Sequence, residues 1–213
     1  MKKLALLSYA ALGAGALLLT WAALTVFWKE PITSYQAQRA QAKLGEQLEA
    51  LEDQVEPRSA VQAASAKASG AKTPVAEASV EYDVKEGGAA GRIHIPSLDV
   101  NAVFVEGTDE DELAKGPGHY PMTHWPGQGK VVAIAGHRTT YGAWFRQIDE
   151  LDRGERIVLT MPYGRYDFEV KGTEIVDDAD WSILRGKGEF LVLSACHPLY
   201  SNAQRIVVYA RPV

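Results

Sequence analysis

A buried β-strand is most clearly indicated in residues 191–198, which run Leu191-Val192-Leu193-Ser194-Ala195-Cys196-His197-Pro198. An apolar, β-branched run that is closed by a proline is typical of such a strand. The chain's only cysteine, Cys196, stands at its end. A second run of the same kind, Val131-Val132-Ala133-Ile134-Ala135-Gly136-His137-Arg138, leads to a histidine. Two strands therefore each deliver one reactive side chain, a thiol and an imidazole, to a sheet edge.

A third polar side chain, Arg205, follows Cys196 by nine residues and opens another apolar run. If the strand that ends at Cys196 pairs with the strand that begins at Arg205, both side chains reach one site. An unperturbed thiol has a pKa near 8.5 and holds little thiolate at neutral pH, so a nearby positive charge helps. Taken singly, each residue also has an ordinary structural explanation. Cys196 fits a buried apolar filler, His137 a hydrogen-bonded residue at a strand end, and Arg205 a surface cation. Together, Cys196, His137 and Arg205 are the parts of a cysteine nucleophile catalyst.

Short alternating or apolar runs recur through residues 91–213 and are separated by turn signals such as Pro117-Gly118 and Pro126-Gly127. The remaining runs are Arg92–Ile95, Val100–Val105, Arg156–Thr160, Tyr166–Val176 and Arg205–Arg211. Only Asp109–Ala114 and Ala143–Leu151 have a helical pattern. Seven or eight strands with short helices predict a mainly β fold, a closed β-barrel, rather than a doubly wound α/β sheet.

The N-terminal segment, residues 1–29, carries a run from Leu4 to Trp28 without a charged side chain. That length is sufficient for a transmembrane helix and exceeds the roughly 7 to 15 residues of a signal peptide's apolar region. Lys2 and Lys3 precede the run, which predicts a cytoplasmic N-terminus and an extracytoplasmic C-terminal domain in the cell membrane. A cleaved signal peptide is the alternative, and it also exports the domain. A single cysteine in an exported chain has no internal disulfide partner, which favours a reactive thiol.

The next segment, residues 30–90, is predicted to be a stalk that is first helical and then flexible. A heptad-like, mostly apolar stripe at alternating spacings of four and three comprises Ala37, Gln41, Leu44, Leu48, Leu51 and Val55. The stripe leaves open a solitary amphipathic helix or a stalk-mediated coiled-coil dimer. Residues 58–90 are rich in Ala, Ser, Gly, Lys and Glu and are predicted to form a flexible tether, because they cannot bury enough apolar surface to become ordered.

The charge balance and the remaining polar residues exclude several functions. A net charge of −5 argues against nucleic-acid binding, which needs a basic face. His94, His119, His124 and His197 lack the spacing of a zinc motif. The acidic run from Glu106 to Glu112 lacks the ordered spacing of an EF-hand loop, and a solvated loop is the better interpretation. We expect no metal and no cofactor.

Three segments of residues 91–213 resemble the sortase family. Gly136-His137-Arg138-Thr139-Thr140-Tyr141-Gly142 resembles the family's histidine motif, and Gln204-Arg205-Ile206-Val207-Val208 resembles its arginine-bearing strand. The nucleophile motif, usually Thr-Leu-x-Thr-Cys, falls on Val192-Leu193-Ser194-Ala195-Cys196. Its two threonines are replaced here by Val192 and Ala195, which puts substrate contacts and rate in question.

The segments Gly116-Pro117-Gly118-His119-Tyr120-Pro121 and Cys196-His197-Pro198, with the Thr-Thr-Tyr-Gly stretch, look most like class E sortases. In that class the tyrosine at the position of Tyr120 is associated with preferring Leu-Ala-x-Thr-Gly over Leu-Pro-x-Thr-Gly sorting signals. Tyr120 is equally compatible with a packed core aromatic. Tyr120, Ser194, Ala195 and Thr139 are the expected substrate-binding residues.

The resemblance implies a transpeptidase in which the Cys196 thiolate attacks the Thr–Gly carbonyl of a sorting signal and forms a thioacyl enzyme. His137 then serves as general acid and base, and Arg205 hydrogen-bonds the oxyanion. The implied partners are secreted proteins with a C-terminal sorting signal and an amine from a cell-wall precursor or a pilin. A cysteine peptidase that only hydrolyses and a non-catalytic wall-assembly protein are the alternatives. An L,D-transpeptidase is disfavoured because its Ser-x-Gly-Cys-x-Arg pattern is absent from the sequence.

Overall fold

A computed structural model describes residues 2–27, 31–68 and 82–213. Two long helices come first, α1 (Lys2–Phe27) and α2 (Pro31–Ala68), and a short helix, α3 (Glu110–Leu113), lies within the strand region. The eight strands are β1 (Ala89–Ile95), β2 (Val100–Glu106), β3 (Gly118–His119), β4 (Val131–Ala135), β5 (Arg156–Met161), β6 (Gly164–Asp177), β7 (Phe190–His197) and β8 (Gln204–Pro212). Short 3-10 helices span Pro96–Leu98, Ile148–Glu150 and Trp181–Leu184.

The strands close into a barrel in the order β1-β2-β3-β4-β7-β8-β6-β5. Strands β4 and β7 are parallel neighbours, with Val131 opposite Phe190 and Ala135 opposite Ser194. Strands β7 and β8 are antiparallel neighbours and pair from Leu191 opposite Ala210 to His197 opposite Gln204. The predicted mainly β, closed barrel is confirmed.

Both faces of the central strands are buried, which explains their continuous apolar runs. Alternate residues face the barrel interior, where Ile134, Leu191 and Leu193 join the main core. The residues between them, including Val192, face outward and pack under the Trp181–Leu184 helix in a second cluster of Val131, Ala133, Ile183, Val192 and Val207. This parity places Cys196 on the outer face, because it lies two residues beyond Ser194 and four beyond Val192.

Helix α2 packs against the barrel wall through the stripe seen in the sequence. Leu44 and Leu48 are buried with Ala89, Val103 and Val105 of β1 and β2. Leu44 and Leu48 of the stripe are therefore covered by the barrel of the same chain, and the stalk-mediated dimer stays a prediction. The side chain of Val55 lies outside the described residues.

Two segment boundaries differ from the prediction. Helix α2 continues past the predicted tether start at Arg58 to Ala68, in an alanine-rich stretch of high helix propensity. Residues 69–81 lie outside the described residues. Before the predicted domain start at Gly91, Tyr82 already contacts the barrel, because its hydroxyl donates to Ala90 O at 2.7 Å.

The predicted helix over Ala143–Leu151 is instead an irregular loop with a single 3-10 turn at Ile148–Glu150. Tyr141, Gly142 and Ala143 have φ values of 49°, 84° and 47°, and three consecutive left-handed residues cannot begin an α-helix.

Within the described residues, no helix combines the length and apolar character that crossing a membrane requires. The transmembrane anchor therefore stays a prediction.

Candidate active site

The Cys196–Arg205 pair is set by the β7–β8 ladder. The two residues are direct cross-strand partners, so their side chains emerge side by side on one face. Arg205 Nη1 lies 3.4 Å from Cys196 Sγ and also donates to Asn202 O and Gln204 O. These carbonyl contacts hold the guanidinium in place before any substrate arrives. The sequence prediction that thiol and guanidinium meet is confirmed.

The histidine comes from the neighbouring strand, β4. Ala135 is the last residue of β4 in register with β7, and it lies opposite Ser194. One further backbone bond, from Gly136 N to Ser194 O at 3.0 Å, extends the pairing. His137 and Cys196 are thus each two residues beyond the same pair, on the outward face of adjacent parallel strands. The parity of both strands brings imidazole and thiol to one level of the barrel.

A strained loop follows His137. The three left-handed residues Tyr141, Gly142 and Ala143 include two with a side chain, a conformation that costs energy and persists where surrounding contacts enforce it. Phe145 N donates to His137 O at 3.0 Å, and Thr33 Oγ1 of α2 accepts from Tyr141 N at 3.1 Å. Phe145 is fully buried. The loop is therefore held on one side by Phe145 in the core and on the other by Thr33 of α2.

The surroundings of His137 favour its neutral form. Burial lowers the pKa of the imidazole below its usual value, and the charge of Glu110 opposes this shift in part. His137 Nε2 has no hydrogen-bond partner among the described residues and is shielded from solvent. A weakly basic imidazole gives up its proton readily once it is charged, which suits a general acid that protonates a leaving amine.

All three predicted catalytic residues line one cleft of about 430 Å³. Of the expected substrate-binding residues, Tyr120, Ser194 and Ala195 also line it, and the Tyr120 hydroxyl donates to Ser194 Oγ at 3.4 Å. Thr139 is not among the lining residues, because the chain turns immediately after His137, where Phe145 N reaches back to His137 O. Its contact with substrate stays a prediction.

Sequence reasoning missed the cleft wall that follows β6. Trp181, Ile183 and Leu184 of the 3-10 helix line the cleft, together with Asp178 and Asp180. Trp181 is 52% exposed and meets the ring of Tyr120 edge to face at 6.4 Å. The available signal was a tryptophan directly after an acidic stretch, since Asp180 Oδ1 caps the turn by accepting from Ser182 N.

Among the described residues, one group of carboxylates approaches a metal-like spacing. Glu86, Asp109 and Glu112 each place an oxygen within 4.8 Å of the others. Lys115 Nζ already lies 3.5 Å from Glu112 Oε1, so part of this negative charge is paired. His94, His119, His124 and His197 do not join such a group in the described part of the chain.

The arrangement suits attack of a thiolate on a carbonyl carbon. Arg205 Nη1 faces the sulfur and can donate to an oxyanion, and His137 can carry the proton that a leaving group needs. An open cleft beside the thiol leaves room for an extended peptide.

Comparisons with known proteins agree with this chemistry. Residues 93–213 match the family model described as the Sortase domain. Sortase D of Bacillus subtilis is 36% identical over 154 residues, which cover 69% of this chain and 76% of the relative. A Sortase D5 transpeptidase from Clostridium perfringens has a TM-score of 0.64 at 21% identity, covering 82% of this chain and 99% of its own, and shows the fold alone. Sortase E1 from Streptomyces coelicolor, solved with a tripeptide in its active site, has a TM-score of 0.57 at 26% identity and covers 60% and 89% of the two chains.

Proposed function

The chain belongs to the sortase family of cysteine transpeptidases, and we propose that it cleaves the Thr–Gly bond of a C-terminal sorting signal and joins the threonine to an amine. The observation that carries the proposal is the meeting of Cys196, His137 and Arg205 in one cleft. The amine belongs to a cell-wall precursor or a pilin, and the acyl donor is a secreted protein.

In the first half of the reaction, His137 holds the proton of the Cys196 thiol, and the Cys196 thiolate bonds to the threonine carbonyl carbon. The carbonyl oxygen becomes negatively charged and accepts from Arg205, which stands 3.4 Å from the sulfur. When the C–N bond breaks, the leaving glycine amine takes a proton from His137. The products are a thioacyl enzyme, a free glycine amine and a neutral imidazole.

In the second half, the incoming amine attacks the thioacyl carbon. Neutral His137 takes the proton of that amine, the S–C bond breaks, and the Cys196 thiolate is restored. The lowered pKa of His137 supports this half, because the base must be neutral when the amine arrives.

The cleft wall supports recognition of an extended peptide. Tyr120, Trp181 and Leu184 supply apolar and aromatic surface on the outer face of the barrel. The tripeptide in the active site of the Streptomyces Sortase E1 supports the same use of this cleft here. We propose Leu-Ala-x-Thr-Gly or Leu-Pro-x-Thr-Gly as the signal, with Tyr120 selecting between alanine and proline.

The class within the family is a further part of the proposal. The motifs around Tyr120 support class E, whereas Sortase D of Bacillus subtilis shares more identity with this chain, 36%, than the Sortase E1 structure, 26%. Class E is supported if the unsubstituted protein prefers the alanine signal and Tyr120→Leu weakens that preference. Class E is contradicted if the unsubstituted protein and Tyr120→Leu both prefer the proline signal.

The defining experiment uses the purified full-length protein in mild detergent, both peptides, and a glycine-type amine. A ligated peptide is expected to form at the expense of the free acid. Cleavage that yields only free acid at every amine concentration would instead identify a hydrolytic peptidase, and absence of any cleavage would favour a non-catalytic assembly protein.

The proposal also places the barrel outside the cell, on a single membrane anchor formed by residues 1–29. Its support is the uncharged run from Leu4 to Trp28 after Lys2 and Lys3. Because Cys196 is the only cysteine, a membrane-impermeant thiol reagent added to intact cells is expected to label this protein. Labelling only after lysis would overturn the placement.

A further inference from the structure

The residue after the catalytic histidine, Arg138, is a buried cation that contacts three other residues through its guanidinium. Only 2% of its side chain is exposed. Its Nε and Nη2 donate to Arg146 O at 3.1 and 2.9 Å, and Nη2 also contacts Asp149 Oδ1 at 2.5 Å. Its Nη1 lies 3.4 Å from His197 Nδ1, the ring nitrogen of the residue that follows the nucleophile.

This last contact lies where the β4–β7 ladder has ended. Ala135 and Ser194 are the last partners in register. Arg138 and His197 are each three residues beyond that pair, so their side chains join the two strand extensions after backbone pairing has stopped. His137 and Cys196, which carry the reaction, are the residues immediately before them. The Arg138–His197 contact therefore spans the gap next to the reacting groups.

A second arginine extends the connection around the cleft. Arg146 Nη1 lies 3.5 Å from Arg138 O, and Arg146 Nη2 lies 3.5 Å from the hydroxyl of Tyr200, in the loop between β7 and β8. The loop after His137 and the loop after Cys196 are thus joined at two points.

The chemistry of the site requires arginine rather than any cation. A buried charge needs hydrogen-bonding partners on all sides, and a planar guanidinium meets three partners at fixed angles. The ammonium of lysine is a compact point charge and cannot span Arg146 O, Asp149 and His197 together. Because Asp149 is 44% exposed, its ion pair is partly screened by water and does not explain the burial by itself.

We propose that Arg138 is a positioning residue that sets the approach of the His137 imidazole to the Cys196 thiol by holding His197 through Nδ1. The proposal rests on the proposed function, because it assigns a role in the same reaction. His197 accepts the hydrogen bond at Nδ1. The bond therefore fixes the loop after β4 relative to the end of β7.

The test compares Arg138→Lys, His197→Phe and His197→Asn in the full-length protein. Asparagine places an amide oxygen near the position of Nδ1 and keeps the acceptor, whereas phenylalanine keeps the ring and loses it. Arg156→Lys is the matched control, because Arg156 is a surface arginine of β5 with 62% of its side chain exposed.

Three quantities are measured: kcat and KM for peptide ligation, the rate of Cys196 alkylation by iodoacetamide, and the melting temperature. Arg138→Lys and His197→Phe are each expected to lower kcat about 10- to 100-fold with KM within about threefold, the size of effect that misplacement of a catalytic group produces. Alkylation should slow in both. His197→Asn is expected to retain kcat within about threefold because it preserves the acceptor, and Arg156→Lys should match the unsubstituted protein.

The double variant Arg138→Lys with His197→Phe tests the connection itself. Since both substitutions break the same contact, the double variant should be no slower than the slower single variant by more than about threefold. If the fold-losses in kcat of the two single variants multiply in the double variant, the positioning role is overturned. It is also overturned if the variants lower only the melting temperature and leave kcat and the alkylation rate unchanged.

Two further outcomes are separable. If Arg138→Lys does not fold, equal kcat values for His197→Phe and His197→Asn overturn the proposal, and a deficit confined to His197→Phe supports it. If the unsubstituted protein ligates no peptide, the proposed function fails. Alkylation rates then still decide whether Arg138 and His197 control the thiol.

Discussion

The active site has a cysteine half, which is Cys196 with Arg205, and a histidine half, which is His137 with the loop that follows it. The two halves are held in different ways. Cys196 and Arg205 lie inside a continuous antiparallel ladder, where backbone hydrogen bonds fix their neighbourhood. His137 lies one residue beyond the last backbone bond between β4 and β7, at the start of a loop with three left-handed residues. Its position depends on contacts of the loop: the backbone bond from Phe145 N to His137 O, Arg138 toward β7, and Thr33 on α2.

The difference indicates where the enzyme is vulnerable. Register within a ladder is shared among many backbone bonds, so a single substitution seldom shifts it. A strained loop that is held by a few side chains loses its geometry when one of them is changed. Substitutions that disturb the loop after His137, or its contact with His197, should therefore alter the reaction at a distance.

The largest effects are expected from removing the reacting groups. Cys196→Ala should abolish ligation, and His137→Ala and Arg205→Ala should each lower kcat/KM at least about 100-fold, the size of lost acid–base or oxyanion assistance. The measurement is steady-state ligation of a fluorogenic sorting peptide.

Two matched controls accompany these variants. His94→Ala removes an exposed imidazole of β1, and Arg211→Ala removes an exposed guanidinium of β8. Both are expected to leave kcat/KM within about twofold, as most surface substitutions do. Near-normal turnover in His137→Ala or Arg205→Ala would contradict the assignment of both halves.

The next largest effect should come from Gly136→Ala, which perturbs only the histidine half. A Cβ at Gly136 would lie 2.6 Å from the Phe145 ring, so the ring or the loop must move. Over-packing of this kind costs about 1–3 kcal/mol of unfolding free energy. We expect a loss of kcat with the alkylation rate of Cys196 changed less.

The control is Gly164→Ala, where the added Cβ makes only ordinary contact with Tyr166 at 3.6 Å. Urea denaturation and ligation kinetics are measured together. Equal behaviour of the two glycine variants would show that the close packing at Gly136 does not position His137.

A smaller effect is expected from loosening α2. The Gln41 amide accepts from Val103 N at 2.7 Å and donates to Val103 O and Lys115 O at 2.8 and 2.9 Å, completing the outer edge of β2 as a neighbouring strand would. Gln41→Leu leaves these backbone groups unpaired and should cost about 1–3 kcal/mol of unfolding free energy.

Gln38→Leu, on the exposed face of α2, is the control and should change stability by less than about 0.5 kcal/mol. Chemical denaturation gives both values. If Gln41→Leu were as stable as Gln38→Leu, the helix would not be held to the barrel by this amide.

The smallest effect is a pH dependence of stability that arises from His137. Burial lowers the pKa of its imidazole in the folded state, so below the usual value of 6.5 the unfolded chain binds a proton that the folded chain does not. Stability is therefore unaffected well above pH 6.5 and falls as the pH drops below it, until the lower folded-state pKa is reached.

His137→Gln removes this contribution. Unfolding free energies at several pH values between 5 and 8 should show the unsubstituted protein losing stability relative to His137→Gln as the pH falls. A constant difference, or a relative gain on acidification, would contradict the lowered pKa.

Sequence patterns predicted the cysteine half more completely than the histidine half, for a physical reason. A continuous apolar run of strand length indicates the strand, and Cys196 and Arg205 become cross-strand neighbours once β7 and β8 pair. The loop after His137 has no such pattern, and the helix that the sequence predicts over Ala143–Leu151 is replaced by an irregular loop, which begins with the left-handed residues Tyr141, Gly142 and Ala143.

Contacts between distant segments were beyond the sequence pattern. The stripe of Leu44 and Leu48 was visible, but the covering surface of Val103 and Val105 depends on how the chain folds back. The roles of Arg138 and Trp181 likewise arise from loops that meet only in the closed barrel. A single sequence gives no period or spacing that relates such segments.

The central claim, that thiol, imidazole and guanidinium act on one amide, is tested most directly by trapping the acyl enzyme. Full-length protein is mixed with a Leu-Ala-x-Thr-Gly peptide without added amine, quenched in acid and weighed by intact mass spectrometry. We predict an adduct on Cys196 equal to the peptide up to its threonine, absent from Cys196→Ala, slower to form in His137→Ala and Arg205→Ala, and discharged by a glycine-type amine. Cleavage of the peptide by Cys196→Ala, or adduct formation at an unchanged rate in the other two variants, would contradict it.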